Sequence, residues 1–216
     1  HTARALENFN IKNKRVNEEL IKAIALIKIA AAEANKKAGK LDENIANAIK
    51  EAANDLIVGN YIDAFMLPSI QGGAGTSTNM CVNEVIANIA LEKMGHKKGN
   101  YQIISPLDHV NHSQSTNDVY PTAVKIASIK LLRELLDETM ALQQELQNKE
   151  KEFSNVLKTG RTQFQDAVPL TLGQEFGAYA EAISRDRWRI YKIEERIRRI
   201  NIGGTAIGTG VGASGK

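Results

Sequence analysis

The sequence predicts an all-α fold built from long amphipathic helices. Apolar residues recur at spacings of three and four over two long segments, which is the period of a helix with one buried face. No run of alternating β-branched residues between turn signals predicts a strand. Prolines do not interrupt the periodic segments, because all four fall between them or at their starts: Pro68, Pro106, Pro121 and Pro169.

Five helices are predicted in chain order. The three shorter segments cover Glu18 to Lys37, Asp42 to Leu56 and Asn79 to Met94. The two long segments run from Thr122 to about Asn148 and from Leu172 to about Ile200. Helices of this length exceed the usual mean of about 11 or 12 residues. Because their apolar stripes need partners, we expect a long-helix bundle that extends across the subunits of an oligomer.

Composition indicates a globular protein of the cytoplasm. The chain has 216 residues, of which 43% are hydrophobic, and its formal net charge is only +3. This charge is too small to indicate nucleic acid or an anionic membrane as the main partner. A single cysteine, Cys81, excludes an internal disulfide. The most apolar stretch, from Ile21 to Ala34, contains Lys22 and Lys28 and is too short to span a bilayer.

Three polar segments lie directly before predicted helices: Gly75 to Asn79, Ser115 to Asn117, and Arg161 to Asp166. A helix N-terminus presents unpaired N–H groups and about half a positive charge, so hydroxyl and amide side chains there form a site for a carboxylate or phosphate. Ordinary capping explains one such segment, as the capping box of Thr171 and Gln174 illustrates. Three in one chain favour a binding site for an anion.

These segments resemble those of the fumarase and aspartase superfamily, whose helical bundles eliminate a group to give fumarate. The N-terminal HTARALENF and the late GGTAIGTG match as well. The other matching residues are Gly75 to Asn79 with Asn83 and Glu84, Gln114 to Asp118 with Pro121 and Thr122, and Gly160 to Asp166 with Pro169 and Gly173 to Phe176. The resemblance implies an N-terminal helical domain over residues 1–115 and the first part of a central helical-bundle domain over residues 116–216.

Within the superfamily, the motifs resemble those of aspartate ammonia-lyases more than those of fumarases. The chain reads QSTND where fumarases typically read QSSND, and it has Gln163 where they carry His. The implied reaction converts L-aspartate to fumarate and ammonia. Some aspartases also have His at the position of Gln163, so a fumarate hydratase remains the alternative.

The resemblance implies substrate-binding roles for six residues: Thr76, Ser115, Thr116, Asn117, Thr162 and Gln163. The first three match residues that stabilise the carboxylate next to the carbon that loses its proton. Asn117 and Gln163 match residues near the departing amino group, and Thr162 matches one that holds the other carboxylate. The implied assembly is a homotetramer whose sites combine three subunits, and the implied chemistry requires no cofactor.

One part of the superfamily pattern is missing from this chain. The proton-abstracting serine of the family lies in a loop of the form GSSxMPxKxNP, which has no counterpart here. Ser214 stands near a lysine but lacks the Met-Pro spacing. Since the chain opens on His1 without a methionine and closes in a glycine-rich run, we expect a fragment that has no catalytic base and is inactive alone.

Other readings of single motifs remain. GVGASGK, from Gly210 to Lys216, spells a phosphate-binding pattern, but that motif needs a preceding strand and a following helix. The segment from Arg185 to Arg199 combines arginines with aromatic residues and would suit a nucleic-acid or partner-binding module, although its interleaved isoleucines favour an amphipathic helix. His109 and His112 precede QSTND and are candidates for assisting catalysis or for a structural role.

Overall fold

The computed structural model describes residues 1–11 and 14–213. Within these ranges six α-helices and one β-hairpin follow each other: α1 (Thr2–Asn8), α2 (Glu18–Lys37), α3 (Glu43–Ile57), α4 (Thr76–Lys93), α5 (Thr116–Glu152), β1 (Leu157–Thr162), β2 (Gln165–Thr171) and α6 (Leu172–Ile197). A 3₁₀ turn covers Ile62–Ala64, and a π-helical turn covers Pro106–Val110. The chain forms two compact units, residues 1–127 with the segment from Arg199, and residues 128–198.

The predominantly helical fold is confirmed, and all five predicted helices are present. Helix α2 has the predicted bounds, and α3 differs by one residue at each end. Helix α1, whose only buried residue is Ala5, was not predicted, because seven residues are too few for a periodic pattern. The division at residues 115 and 116 remains a prediction. None of the helices among the described residues is long and apolar enough to cross a membrane.

Helix α5 begins earlier than the apolar pattern predicts, and Pro121 lies inside it. Capping explains the early start, since the Ser115 hydroxyl accepts from the Asn117 N–H at 3.2 Å and Asp118 Oδ1 accepts from the Ser115 N–H at 3.0 Å. The prediction that Pro121 lies at the start of the helix was therefore wrong. Its ring removes the hydrogen bond that this residue would otherwise donate within the helix.

Side-chain caps fix the starts of α2 and α3. Asn17 accepts from the Glu19 N–H at 2.8 Å, and Asp42 accepts from the N–H groups of Asn44 and Ile45 at 2.8 and 3.3 Å. These bonds satisfy N–H groups that have no partner within the helix. The two helices then pack against each other and against α4.

An alanine-rich core holds the first unit together. Several alanines in the helices are completely buried, which lets the helix backbones approach closely: Ala25, Ala46, Ala52, Ala53, Ala87, Ala90 and Ala123. Larger apolar side chains fill the space between them, including Ile24, Ile49, Leu56, Ile86 and Leu91. Such close-packed interiors are rigid. The core therefore fixes the positions at which α4 and α5 begin.

The hairpin of the second unit was not predicted. Strands β1 and β2 are antiparallel, with Leu157 opposite Thr171 and Thr162 opposite Gln165, and the register shifts beyond Thr159. Their side chains are mostly exposed and polar, so the strands carry no alternating pattern. The two-residue turn also lacks the usual Asn-Gly signal of a hairpin. Sequence patterns alone could not identify it.

The remaining part of the second unit is an antiparallel pair formed by residues 128–152 of α5 and by α6. Arg133 contacts Glu194 with two hydrogen bonds of 3.1 and 2.8 Å. Together with Arg198, Arg133 lowers the pKa of Glu194 to about 2. At the other end, Gly173 lies directly against the backbone of Glu150. The predicted capping box of Thr171 and Gln174 is confirmed at the start of α6.

Substitution of Gly173 by Ala should destabilise the second unit. An added Cβ would overlap the Glu150 carbonyl oxygen and approach backbone atoms of Phe153 and Ser154 at 3.0 Å, so the helices would have to separate. Overpacking of this kind costs about 1 to 3 kcal/mol. Urea unfolding of the Gly173→Ala chain should show a free energy of unfolding lower by this amount.

Gly177→Ala is the matched control in the same helix. There an added Cβ would meet only the movable carboxylate of Glu150, at 2.7 Å. Since Ala is favoured over Gly in helices by about 1 kcal/mol, the control should lose little stability or gain some. Equal effects of the two substitutions would contradict the packing described for Gly173.

Candidate functional site

The first turns of α4 and α5 meet, although they are far apart in the sequence. Gly75 caps α4 with φ of 86°. A Cβ at this position would overlap the ring of Tyr120 in α5. One turn into α4, the Asn79 amide donates to the Thr116 hydroxyl at 3.1 Å. Two of the three predicted polar segments are therefore neighbours.

The approach to α4 is a run of left-handed backbone. Gly73, Ala74 and Gly75 have φ of 85°, 50° and 86°. Ala74 lacks the conformational freedom of glycine, and strain of this kind costs about 1 to 3 kcal/mol and is common at functional sites. This turn brings the Thr76 hydroxyl to the surface, where it donates to the Gly73 carbonyl oxygen at 2.7 Å.

A cleft of about 450 Å³ lies beside the start of α4. Thr76 and Ser77 line it together with Gly72, Phe9 and the cationic side chain of Arg4. A helix N-terminus, two hydroxyl groups and a guanidinium group all favour an anion. The cleft has the volume and the charge to accept a small carboxylate.

The start of α5 is held by a buried carboxylate. Asp118, which is 1% exposed, accepts from the N–H groups of Ser115, Gly203 and Thr205 at 3.0, 3.2 and 2.9 Å. The glycine-rich segment after α6 is thereby attached to the helix start. Three N–H donors satisfy a buried carboxylate that would otherwise be costly.

Asn117, which follows the cap, is exposed, and its amide donates to the Ala206 carbonyl oxygen at 2.8 Å. The neighbouring hydroxyl groups of Ser115 and Thr116 both accept hydrogen bonds, from the Asn117 N–H and the Asn79 amide respectively. A hydroxyl group that accepts retains its own proton for donation. Ser115 and Thr116 can therefore donate to a bound ligand.

Below these residues lies a buried polar cluster that contains Lys28. The Lys28 side chain is 0% exposed, and its Nζ donates to Asn111 Oδ1 and to Gln114 Oε1, both at 2.9 Å. Burial lowers the pKa of this lysine to about 7, and the negative charge of Asp118 opposes that shift. One feature of the sequence indicates this residue, because Lys28 interrupts the most apolar stretch of the chain.

Asn111 connects this cluster to α4. Its Oδ1 also accepts from the amides of Asn79 and Asn83, at 3.3 and 3.2 Å. The Oδ1 atoms of those two buried asparagines have no hydrogen-bond partner among the described residues. Three donors thus converge on one oxygen, which makes Asn111 the centre of the cluster. Its role was not indicated by the sequence.

Thr162 and Gln163 lie in the other compact unit, at the tip of the hairpin. The expectation of a polar segment leading directly into a helix was wrong here, because the segment forms β1, the turn and β2. Gln163 and Phe164 form the turn, with φ of 50° and 62°, and the Phe164 side chain is 105% exposed. Arg161 pairs with Asp166 across the strands at 3.0 Å.

Polar contacts attach the base of the hairpin to α6. Lys158 contacts the Glu175 carboxylate, and the Tyr179 hydroxyl donates to the same carboxylate at 3.0 Å. Lys158, followed by Tyr179, lowers the pKa of Glu175. These contacts hold the base of the hairpin against α6.

The two histidines near QSTND bond to the backbone. His109 Nδ1 accepts from the Ser105 N–H, and His112 Nδ1 donates to the Asp108 carbonyl oxygen, both at 2.9 Å. Both rings thus support the π-helical turn. Over the described residues no group of three or more His, Cys, Asp or Glu side chains could hold a metal ion. Ser214 and Lys216 lie outside those residues, so the phosphate-binding reading of GVGASGK stays untested.

Comparison with known proteins places the chain beside lyases. Residues 1–216 match the family described as "Lyase". An aspartate ammonia-lyase from Bacillus sp. is 52% identical over 212 residues, which are 98% of this chain and 45% of that protein. The chain thus spans about half the length of the curated relatives it matches.

Two solved structures share this fold. A fumarate lyase:delta crystallin from Brucella melitensis, bound to cobalt, has a TM-score of 0.94 and 47% identity, over 99% of this chain and 47% of its own. A class II fumarase from Schistosoma mansoni has a TM-score of 0.93 and 35% identity, over 99% of this chain and 45% of its own. Both similarities include the two helix starts described above.

The buried lysine predicts a specific pH dependence of stability. Because the pKa of Lys28 is about 7 in the folded chain and near 10.5 when unfolded, the unfolded state binds more protons between these values. The free energy of unfolding should therefore rise with pH in this range. Between pH 7 and pH 9 the contribution of Lys28 should increase by about 2 kcal/mol.

Urea unfolding of the chain and of its Lys28→Met variant at both pH values measures this contribution. Other titrating groups are common to both proteins, so their contributions cancel in the difference between the two free energies of unfolding. The free energy of unfolding of the wild-type chain, relative to that of the Met variant, should rise by this amount from pH 7 to pH 9. A difference that does not change with pH would mean that Lys28 stays charged.

Proposed function

This chain belongs to the lyase family that all of its residues match, and we propose that the whole protein is an aspartate ammonia-lyase. The resemblance to the fumarase and aspartase superfamily is confirmed by the relatives. Their identities favour the ammonia-lyase, since the aspartate ammonia-lyase from Bacillus sp. is 52% identical and the Schistosoma mansoni fumarase is 35% identical. The observation that carries the proposal is the meeting of two hydroxyl-bearing helix starts, of which that of α4 borders a cationic cleft.

The chemistry of ammonia elimination requires such an arrangement. A base removes a proton from the β-carbon of L-aspartate, and the electron pair of that C–H bond moves into the adjacent carboxylate. The resulting dianion then forms the carbon–carbon double bond and expels the amino group as ammonia. Donors that are aimed at the carboxylate before the reaction lower the barrier most, because charge develops there.

We assign these donors to Thr76, Ser115 and Thr116. Ser115 and Thr116 accept hydrogen bonds from the protein and keep their protons for the substrate. Thr76 donates to the Gly73 carbonyl oxygen. Rotation of its side chain would direct the same proton to a carboxylate in the cleft. The N–H groups at both helix starts add further positive potential.

The remaining assignments rest on the family pattern. Asn117 is proposed to bind near the amino group of the substrate, since its exposed amide already makes a hydrogen bond at the helix start. Gln163 would serve the same group and Thr162 the second carboxylate, both from the hairpin tip. The strained turn at Gln163 supports a functional role, because two left-handed residues without glycine are costly.

We propose that residues 1–216 alone do not turn over substrate. The superfamily loop of the form GSSxMPxKxNP, which carries the base, is not in this sequence. The chain would thus supply the carboxylate-binding part of the site, and the base would come from the rest of the whole protein. A cytoplasmic location is part of the same proposal.

A homotetramer is proposed from the apolar faces of the long helices. Large apolar residues of α5 and α6 remain 41% to 64% exposed, which is unusual for residues with helical spacing. They are Leu131, Leu135, Met140 and Leu142 of α5, and Tyr179, Trp188, Tyr191 and Ile193 of α6. Helices that expose such stripes are stabilised by packing against other helices. This reading also opposes a nucleic-acid-binding role for the segment from Arg185 to Arg199.

Fumarate release by the whole protein tests the proposed activity. We expect release from L-aspartate and not from L-malate. The Ser115→Ala and Thr76→Ala variants should each lower kcat/KM by about 10²- to 10³-fold, because each loses a donor to the developing charge. The absorbance of fumarate in steady-state assays measures both the release from each substrate and the kcat/KM of each variant.

The control is Ser69→Ala, which removes an exposed hydroxyl outside the proposed site. It should behave as the wild type. Release of fumarate from L-malate alone would mean that the whole protein is a fumarate hydratase and not an ammonia-lyase. Full activity of Ser115→Ala would contradict the assignment of the donor.

A further inference from the structure

Resting on the proposed function, we propose that Lys28 is a positioning residue for the substrate-binding start of α5. It does not reach the substrate. It holds Asn111 and Gln114, which set the conformation of the turn that leads into Ser115, Thr116 and Asn117. The reasoning depends on where its hydrogen bonds go and on what burying a lysine costs.

Lys28 is placed where an ordinary core residue would be apolar. It stands on α2 between neighbours that are buried in the core, and its whole side chain is excluded from water. A lysine is almost never fully buried without a compensating interaction. Its two hydrogen bonds go to side-chain amides of one short segment, those of Asn111 and Gln114. The hydrogen bonds that compensate for burial therefore lie in the turn before α5.

The turn depends on these two side chains. The Asn111 amide donates to the Gln114 carbonyl oxygen at 3.2 Å, while the Gln114 amide donates to the carbonyl oxygens of Val110 and His112 at 3.1 and 3.0 Å. Between them Ser113 adopts a left-handed conformation, with φ of 59°. Lys28 bonds to the oxygen of each amide and so orients both amide groups. Gln114 directly precedes Ser115, whose hydroxyl caps α5. Any change in the turn therefore moves this cap.

A second series of hydrogen bonds leads from Lys28 through Asn79 of α4 to the start of α5. Asn111 Oδ1, which accepts from Lys28, also accepts from Asn79, and the Asn79 amide in turn donates to the Thr116 hydroxyl. Lys28 is thus connected to Thr116 through two side chains. Loss of Lys28 would remove one of the three donors that orient the Asn111 oxygen, and the position of the Asn79 amide at the Thr116 hydroxyl would change with it.

If Lys28 had a purely structural role, substitution would change stability and substrate binding together. Methionine has a similar length and no charge, and replacing a buried charge with an apolar group is often neutral or stabilising. The low pKa of Lys28 supports a cost of burial in the folded chain. Lys28→Met should therefore fold and retain its thermal stability, while the turn before α5 loses its order. Stability and substrate binding would change separately.

The test compares Lys28→Met with wild type in the whole protein. Hydrogen–deuterium exchange of residues 111–118 should be faster by about tenfold or more in the variant, while exchange in α3 stays unchanged. kcat/KM for L-aspartate should fall by about 10- to 100-fold, since small misplacements of binding groups have effects of this size. Lys22→Met, which removes an ion-paired lysine from the same helix, should leave both quantities unchanged.

A double variant tests the route through Asn111. In an Asn111→Ala background, Lys28→Met should have little further effect on kcat/KM, because the group through which it acts is already lost. Independent, additive losses would overturn the proposal. If Lys28→Met protein is not recovered folded, Gln114→Ala removes one of the two acceptors instead, and it must produce the same faster exchange.

The outcomes separate this inference from the proposed function. Unchanged exchange at residues 111–118 would overturn the positioning role whether or not the enzyme is active. Faster exchange with an unchanged kcat/KM would also overturn it. A wild-type protein that releases no fumarate from L-aspartate would contradict the proposed function, and the exchange measurement would still decide whether Lys28 orders the turn.

Discussion

The hydrogen bonds that converge on Asn111 join three parts of the first unit. One oxygen atom accepts from Lys28 of α2 and from Asn79 and Asn83 of α4, while the same residue belongs to the turn before α5. Such a buried polar cluster is favourable only when its geometry is well satisfied. The relative positions of the two helix starts depend on it, because a shift of either helix would leave several buried polar groups without partners.

Close packing around the cluster makes this arrangement rigid. Alanines let the helices approach, and Gly75 leaves room for the ring of Tyr120 where any side chain would overlap it. Asp118 adds a second attachment, since it binds the glycine-rich segment to the cap of α5. Hydroxyl groups at the two starts are thus held in place by hydrogen bonds within the protein. The proposed reaction requires such preorganised donors, because negative charge develops at the substrate carboxylate.

The second unit is organised differently. Its antiparallel helices are held by ion pairs at the surface, such as Arg133 with Glu194, and by the close contact at Gly173. Exposed ion pairs contribute little to stability. Many of its large apolar side chains are exposed, and its hairpin ends in a strained turn with a fully exposed phenylalanine. Both features agree with the proposed homotetramer.

The sequence by itself determined the helices, their caps and the polar groups near their starts. Periodic apolar residues located α2 to α6, and Thr171 with Gln174 located the start of α6, because these signals are local. The motif residues Thr76 and Ser115 to Asn117 were identified from the family pattern. Only the tertiary structure decided that α4 and α5 start side by side, that Lys28 and Asn111 lie beneath them, and that Gly160 to Thr171 folds as part of a hairpin. These depend on contacts between distant residues and on a turn without its usual glycine, neither of which leaves a local pattern.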